Sequence, residues 1–333
     1  MPQLDCYGSK LDVDDQTRFA LTPPMERLLC RDHLCFHEAL IPEHSNKDIT
    51  RIISGYLRMF SVKDAYALDD QITNAFDSRE KLGKGVYRLR FDSELTTLIN
   101  SFPFSSYKGF DKRVLVETIL QRYCALPYAE REKIFFYDTY LTIAGCIQAE
   151  TELDICVRTI TGALRHFSYQ PYIIETDEST GLAYLAGYSR EVEGAGRYQI
   201  FCTRLQRIVS AVDTKRHMPL KPAKRDAIQQ RLDELGIAYI NTEIETFRVA
   251  LTEDGYQRYL KLLIHQRPLP DSVEQGEDSD WPYVLTFHGS RYQMHNYFFT
   301  FGRHIKILSP DHLREQFAQE YRDAAALYGT EAL

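Results

Sequence analysis

Four strand-length segments crowded between residues 153 and 208 constrain this chain more than any other feature. They are LDICVRTI (153–160), LRHFSYQPYIIET (164–176), AYLAGYS (183–189) and RYQIFCTRLQRI (197–208), parted by turn signals. Short strands spaced this closely favour a small barrel or sandwich. The last segment closes with Arg204 and Arg207 set among apolar residues. A buried, unpaired guanidinium is unfavourable, so each needs a partner. Either the protein supplies a carboxylate, such as Glu175 or Asp154, or a ligand does. Planar forked donors hold phosphate or carboxylate in two-point contact. Tyr172, Tyr184, Arg165 and His166 stand on nearby strands. Rings together with cations suit a phosphate-bearing or single-stranded nucleic-acid ligand.

Upstream, the first 16 or so residues are polar and are expected to be flexible. HLCFHEALI (33–41) reads as a strand. In PEHSNKDITRIISGYLRMF, Ser45 or Asn46 is a natural N-cap, and Ile49, Ile52, Ile53, Tyr56 and Leu57 recur at helical spacing. VKDAYALDDQITNAF reads as a second helix, broken by the Gly-containing DSREKLGKG. In VYRLRFDSELTTLINSF (86–102), Tyr87, Leu89 and Phe91 alternate with Arg88 and Arg90, a strand with one apolar and one polar face. Asp92 or Ser93 can cap the helix after it. DKRVLVETILQRYCAL (111–126) is amphipathic, with Val114, Ile119, Leu120 and Tyr123 in one stripe.

Strand, helix, loop, helix is the ribbon-helix-helix order, in which two such units pair their strands in a nucleic-acid groove. Arg88 and Arg90 are then either a solvated strand face or donors to guanine edges and phosphates. Residues 33–76 and 86–135 are two such blocks, as in a diverged duplication. An unpaired strand edge is sticky, so the strand at 86–92 is expected to pair with 33–41 or with its copy in a second chain. From about residue 138 the chain reads as β-rich, up to a proline-flanked linker helix, MPLKPAKRDAIQQRLDELGI (218–237). The remainder reads as strand (ETFRVALT), helix (YQRYLKLLIH), a disordered-looking acidic loop (PDSVEQGEDSD), two strands (PYVLTFHG and HIKILSP) and a C-terminal helix.

Composition narrows the function. The 333-residue chain has net charge −7, which argues against coating nucleic acid by bulk charge but leaves room for a local basic patch. KLGKG lacks the spacing of a phosphate-binding loop, and no G-x-S-x-G, H-E-x-x-H or paired CxxC occurs. The expectation is a protein that is not an enzyme and takes no cofactor and no metal. CRDHLCFH is a metal-like cluster, since on a strand His33, Cys35 and His37 would share a face near Cys30. Its cysteine spacing is not that of a zinc knuckle, so a strand with small buried thiols is the simpler reading. The seven cysteines are scattered and read as free thiols of a reducing, cytoplasmic setting. MPQLDCYGSKLDVDD has no apolar core of a signal peptide, and no run is long enough to cross a bilayer.

PYIIETDESTGLAYLAGYSREVEGAGRYQIFCTRLQRI resembles the WYL domain. Pro171 matches the family's strand proline, and Ala183-Tyr184-Leu185 stands where Trp-Tyr-Leu names the family. Thr203-Arg204-Leu205-Gln206-Arg207-Ile208 matches a segment like Phe-Arg-Leu-Asp-Arg-Ile in both arginines and both aliphatics. YFFTFGRHIKILSPDHLREQFAQEYRDAAALY resembles the extension that follows WYL domains, with Gly302, Pro310, Leu313 and Arg314 in register. The resemblance covers about residues 140–333. It implies an Sm-like β-barrel that senses nucleic acid or a nucleotide through those arginines. It also implies a bacterial transcription regulator, frequently dimeric and often near phage-defence genes. Most such proteins begin with a winged helix-turn-helix. A ribbon-helix-helix-like start resembles instead the WYL proteins that accompany type VI CRISPR systems and modulate the nuclease by binding RNA.

The sequence thus predicts an α+β protein. A ribbon-helix-helix-like module (1–135) binds nucleic acid or dimerises, and a WYL barrel (138–215) senses an anionic ligand. A linker helix (216–240) and a small α+β C-terminal domain (241–333) follow. The function expected is a homodimeric, ligand-responsive transcription regulator linked to phage defence. The alternative is a CRISPR accessory that grips single-stranded RNA and acts on an RNA-guided nuclease.

Overall fold

The computed structural model describes residues 16–37, 46–63, 87–101, 110–159, 161–178, 180–192, 196–261 and 268–327. They fall into two compact units, residues 1–145 with 205–210, and residues 146–204 with 211–333. The fold is mixed α+β.

In the first unit, β1 (Gln16–Phe19) and β2 (Tyr87–Arg90) form a two-stranded antiparallel ribbon, with Thr17 opposite Leu89 and Arg18 opposite Arg88. Helices α1 (Pro23–His37) and α2 (Asn46–Lys63) follow β1. Helices α3 (Ser93–Asn100) and α4 (Lys112–Ala125) follow β2. Strand-helix-helix therefore occurs twice, and the first block begins at residue 16 rather than 33. The mate of β2 is β1, not 33–41. Residues 33–37 are helical instead. Pro23 and Pro24 fill a first turn that needs no N–H donors, and Met25, Leu29, Asp32 and Phe36 are buried at helical spacing. Alternation of His33, Cys35 and His37 imitated a strand within that frame. Residues 38–41, and the helix expected in VKDAYALDDQITNAF from residue 64 on, lie outside the described residues.

Leu89 and Phe19 are buried with Ile53, Leu57, Leu115, Ile119 and Leu120, while Arg90 is exposed. Asp92 caps α3, accepting the Leu95 N–H at 2.7 Å, and Asp111 caps α4 through the Arg113 N–H at 2.8 Å. The buried Glu117 carboxylate accepts the Ala20 N–H at 2.8 Å and Arg113 Nε at 3.0 Å, tying the end of β1 to α4. Helix α5 (Tyr128–Phe135) packs on α2 at Gly55, where any Cβ would overlap the carbonyl oxygen of Ile134. Helix α6 (Tyr137–Ala149) occupies sequence expected to be β-rich from about 138. Its Tyr, Thr and Ile content favours strand locally, yet Ile143 and Cys146 are buried at helical spacing.

The second unit contains a five-stranded antiparallel sheet of β3 (Thr151–Arg158), β4 (Leu164–Thr176), β5 (Ala183–Glu191), β6 (Gln199–Arg204) and β7 (Ile208–His217). Its order is β6-β5-β4-β3-β7. The segment 197–208, read as one strand, is β6 followed by a 3₁₀ turn (Leu205–Arg207), with β7 beyond it. Ile228 of helix α7 (Pro222–Leu235), with Leu220 just before it, packs against Tyr184, Ala186, Tyr188 and Cys202. At Gly187 a side chain would overlap the Gln170 carbonyl, beside the bulge at Pro171/Ile173.

A four-stranded sheet follows, from β8 (Ile244–Leu251), β9 (Ser272–Gln275), β10 (Tyr283–Ser290) and β11 (Ile305–Ser309), in the order β11-β8-β10-β9. Helices α8 (Glu253–Lys261), α9 (Arg291–Phe298) and α10 (Asp311–Leu327) accompany it, around a core that includes Phe247, Phe287, Phe298 and Phe301. β9 lies within the acidic stretch expected to be a disordered loop. As an outer strand it needs one partner and tolerates charge on its exposed side. Among the described residues no helix is long and apolar enough to cross a membrane.

Candidate ligand site on the five-stranded sheet

Arg204 ends β6 directly opposite Tyr184 on β5. Its Nε donates to the Tyr184 hydroxyl at 3.3 Å, and its guanidinium lies 5.9 Å from the centre of that ring. A guanidinium near an aromatic face is held by the ring quadrupole, more strongly when shielded from water. Among the described residues Arg204 has no carboxylate at ion-pair distance: neither Glu175 nor Asp154 pairs with it. Among the described residues the arginine is thus seated on a tyrosine with no carboxylate in direct contact.

Asn241 fixes this end of the sheet. Its Oδ1 accepts the Cys202 N–H at 2.5 Å and its Nδ2 donates to the Cys202 carbonyl at 2.8 Å. The side chain thereby supplies the donor and acceptor that a further strand would offer to the outer edge of β6. The Cys202 thiol donates to the Ile237 carbonyl at 3.0 Å, and burial pushes it up to about 12, so it stays protonated. Burial, reinforced by Asp177, likewise raises Tyr239 above the ordinary tyrosine range, while Arg204 opposes the shift. Tyr239 and the exposed Tyr292 stand with ring centres 6.3 Å apart. Asn241→Ala is expected to leave two backbone groups without partners and to lower stability by about 1–3 kcal/mol. Thermal unfolding measured alongside ligand binding checks it, with binding weakened through displacement of Arg204.

The other expected residues are dispersed. Arg207 ends the 3₁₀ turn, and residues 205–210 belong to the first unit. There the Gln206 N–H donates to Glu132 at 3.1 Å, and the Tyr128 hydroxyl donates to Gln206 Oε1 at 3.2 Å. Tyr172 donates its hydroxyl to Gln229 Oε1 at 2.9 Å and lines a cavity of about 100 Å³ with Arg225 and Glu150. Arg165 and His166 are exposed near the start of β4, whereas the residue opposite Tyr184 is Glu175 near its end. His166 and Glu175 are nine positions apart along the strand, roughly 30 Å at the usual rise. Arg165 stands 3.8 Å from Glu191. In the first unit, Arg88 faces Arg18 and Arg90 faces Gln16 in the ribbon register. Tyr239 and Asn241 were not singled out from sequence, since a short 3₁₀ segment after a helix carries no periodic signal.

Two larger cavities belong to the second unit. One of about 330 Å³ is lined by Glu175, Asp177, Glu178, Asp233 and Tyr239 among others, so its acidic wall disfavours a polyanion. Another of about 530 Å³ is lined by Glu243, Glu245, Arg291, Tyr292 and His295. Among the described residues no group of three or more His, Cys, Asp or Glu is placed to hold a metal ion.

Residues 243–325 match the WCX domain, the C-terminal domain associated with WYL. The chain is similar over 100% of its length, and over 98% of the other, to a solved structure described as a CRISPR Cas-related protein, with 17% identity and a TM-score of 0.75. Proteasome accessory factor B/C (PafBC) of Arthrobacter aurescens is 16% identical, covering 56% of this chain and 27% of that one, but at a TM-score of 0.28. No curated protein matches the chain in sequence. The chain thus carries a WCX domain at residues 243–325 and shares its overall fold with that CRISPR Cas-related protein.

Proposed function

We propose that the protein is a nucleic-acid-binding regulator that acts by binding and not by turnover. The observation that carries this reading is Arg204, seated on Tyr184 without a carboxylate. An anion supplied by a ligand completes it, and a base can lie against the neighbouring tyrosines. The ribbon of the first unit is the surface for duplex DNA. Its strands differ, QTRF against YRLR. Palindromic operators mirror a two-fold symmetric ribbon, so this one should prefer an asymmetric site. The ribbon is also complete within one chain, and we place the homodimer contact on the C-terminal domain.

Arg204→Ala is expected to weaken binding of single-stranded RNA or of a nucleotide by about 10- to 150-fold, the equivalent of one charge-assisted contact of about 1.5–3 kcal/mol. Fluorescence anisotropy with single-stranded RNA, duplex DNA and mononucleotides checks it, with thermal unfolding to show that the variant is folded. A wild type that binds none of the three sinks the reading. The second reading is an accessory of a type VI CRISPR system in phage defence, favoured by the full-length similarity in fold to a CRISPR Cas-related protein. Altered RNA cleavage by the effector nuclease on addition of this protein would separate it from a transcription regulator.

A further inference from the structure

A second group of cations and rings occupies the other end of β5. Alternation places Tyr184, Ala186, Tyr188 and Arg190 on one face of the strand, and α7 covers the middle of that face. Beyond the covered part, the Lys224 ammonium lies 4.5 Å from the centre of the Tyr188 ring and 5.4 Å from that of Tyr198. The Arg190 guanidinium lies 5.3 Å from the same Tyr198 ring. Two cations on different elements thus converge on one aromatic side chain.

Neither cation has a carboxylate at ion-pair distance among the described residues. Lys224 Nζ donates to Gln170 Oε1 at 3.1 Å, a neutral acceptor. Glu152 accepts the Tyr198 hydroxyl at 2.6 Å and is paired with Arg216. Burial, then the neighbouring Lys221, holds the Lys224 amine below the ordinary lysine range. From Lys215 to Arg225 no Asp or Glu occurs. Lys215, Arg216 and Arg225 pair with Asp213, Glu152 and Glu150 outside the segment, and Lys224 has no such pair among the described residues. Arg190 is exposed, but Lys224 is half-buried, and a half-buried ammonium without a counter-charge is unfavourable unless an anion joins it.

We propose that Lys224, Arg190, Tyr188 and Tyr198 form a second anion site, which takes the phosphate of a nucleotide or of a single-stranded polynucleotide. The site deepens the nucleic-acid reading above and rests on it for the polymer. The ammonium and guanidinium supply charge from two directions, and the Tyr198 ring supplies a face for an attached base.

Pyridoxal 5′-phosphate is the probe. Arg190 holds its phosphate, and its aldehyde condenses with the unprotonated fraction of the Lys224 amine, forming C=N and releasing water. Borohydride then adds hydride to the C=N bond, a solvent proton completes the secondary amine, and peptide mapping locates the label. In the full-length protein Lys224 should be labelled several-fold faster than Lys221. Inorganic phosphate and a single-stranded oligonucleotide should each slow that labelling, and Arg190→Gln should slow it several-fold. Protection by phosphate but not by the oligonucleotide keeps the site, assigns it to free nucleotides and removes the polymer. Equal labelling of Lys221 and Lys224, or labelling that neither competitor slows, overturns the proposal.

Discussion

Asp32→Ala is expected to destabilise the first unit by about 3–5 kcal/mol, a large share of the stability of any domain. Asp32 lies on α1 and Arg131 on α5, and both side chains are almost wholly buried, at 3% and 4% exposure. Arg131 Nε donates to Asp32 Oδ2 at 2.7 Å and Nη2 to Oδ1 at 3.0 Å, while the buried Tyr123 hydroxyl donates to Oδ2 at 3.2 Å. Truncating the carboxylate strands a guanidinium and a hydroxyl where water cannot reach them. Replacing both ions with apolar residues of similar volume, Asp32→Leu with Arg131→Met, should cost much less, because no charge is left uncompensated. Urea unfolding of the two variants distinguishes these outcomes. A single variant as mild as the double one would mean that this pair does not hold α1 against α5.

The second large effect is expected at the ribbon. Arg88→Ala combined with Arg90→Ala should weaken duplex DNA binding by roughly 30-fold or more, since a good base contact is worth about 1–3 kcal/mol. Positions 88 and 90 flank the buried Leu89 on β2, and Arg90 is exposed. The chain is acidic overall, so few contacts carry the binding and each loss is felt. Single-stranded binding should survive the change. Gel shifts at two salt concentrations check both statements, because phosphate contacts make every such affinity salt-dependent. Loss of both activities together would merge the two surfaces into one.

Legibility in the sequence followed local signal. β4 ran over the residues expected of it because its turns and alternation are both local. Of Asp92 and Ser93, the two cap candidates, Asp92 caps the helix, again a local signal. The partner of β2 was misjudged because strand pairing is non-local, and QTRF is too short and polar to declare itself. α1 passed for a strand where two periodicities overlap in HLCFH. Arg204 and Tyr184 are both legible in the sequence as candidates on nearby strands, but their direct opposition is a matter of strand register that local signals do not carry. Nor do they carry the Asn241 bridge to Cys202, since it joins residues 39 apart through a side chain. Lys224 hid within a helix read as a polar linker, where its burial against two tyrosines leaves no sequence mark.

Photocrosslinking tests the central claim most directly, that the Arg204 end of the sheet receives single-stranded nucleic acid. A thiouridine-bearing oligoribonucleotide is irradiated with the wild-type protein, and the attached peptides are mapped. The account predicts crosslinks on the peptides that hold Tyr184 or Tyr292, and their loss in Arg204→Ala at unchanged thermal stability. Crosslinks confined to the first unit, or unchanged in that variant, would contradict it.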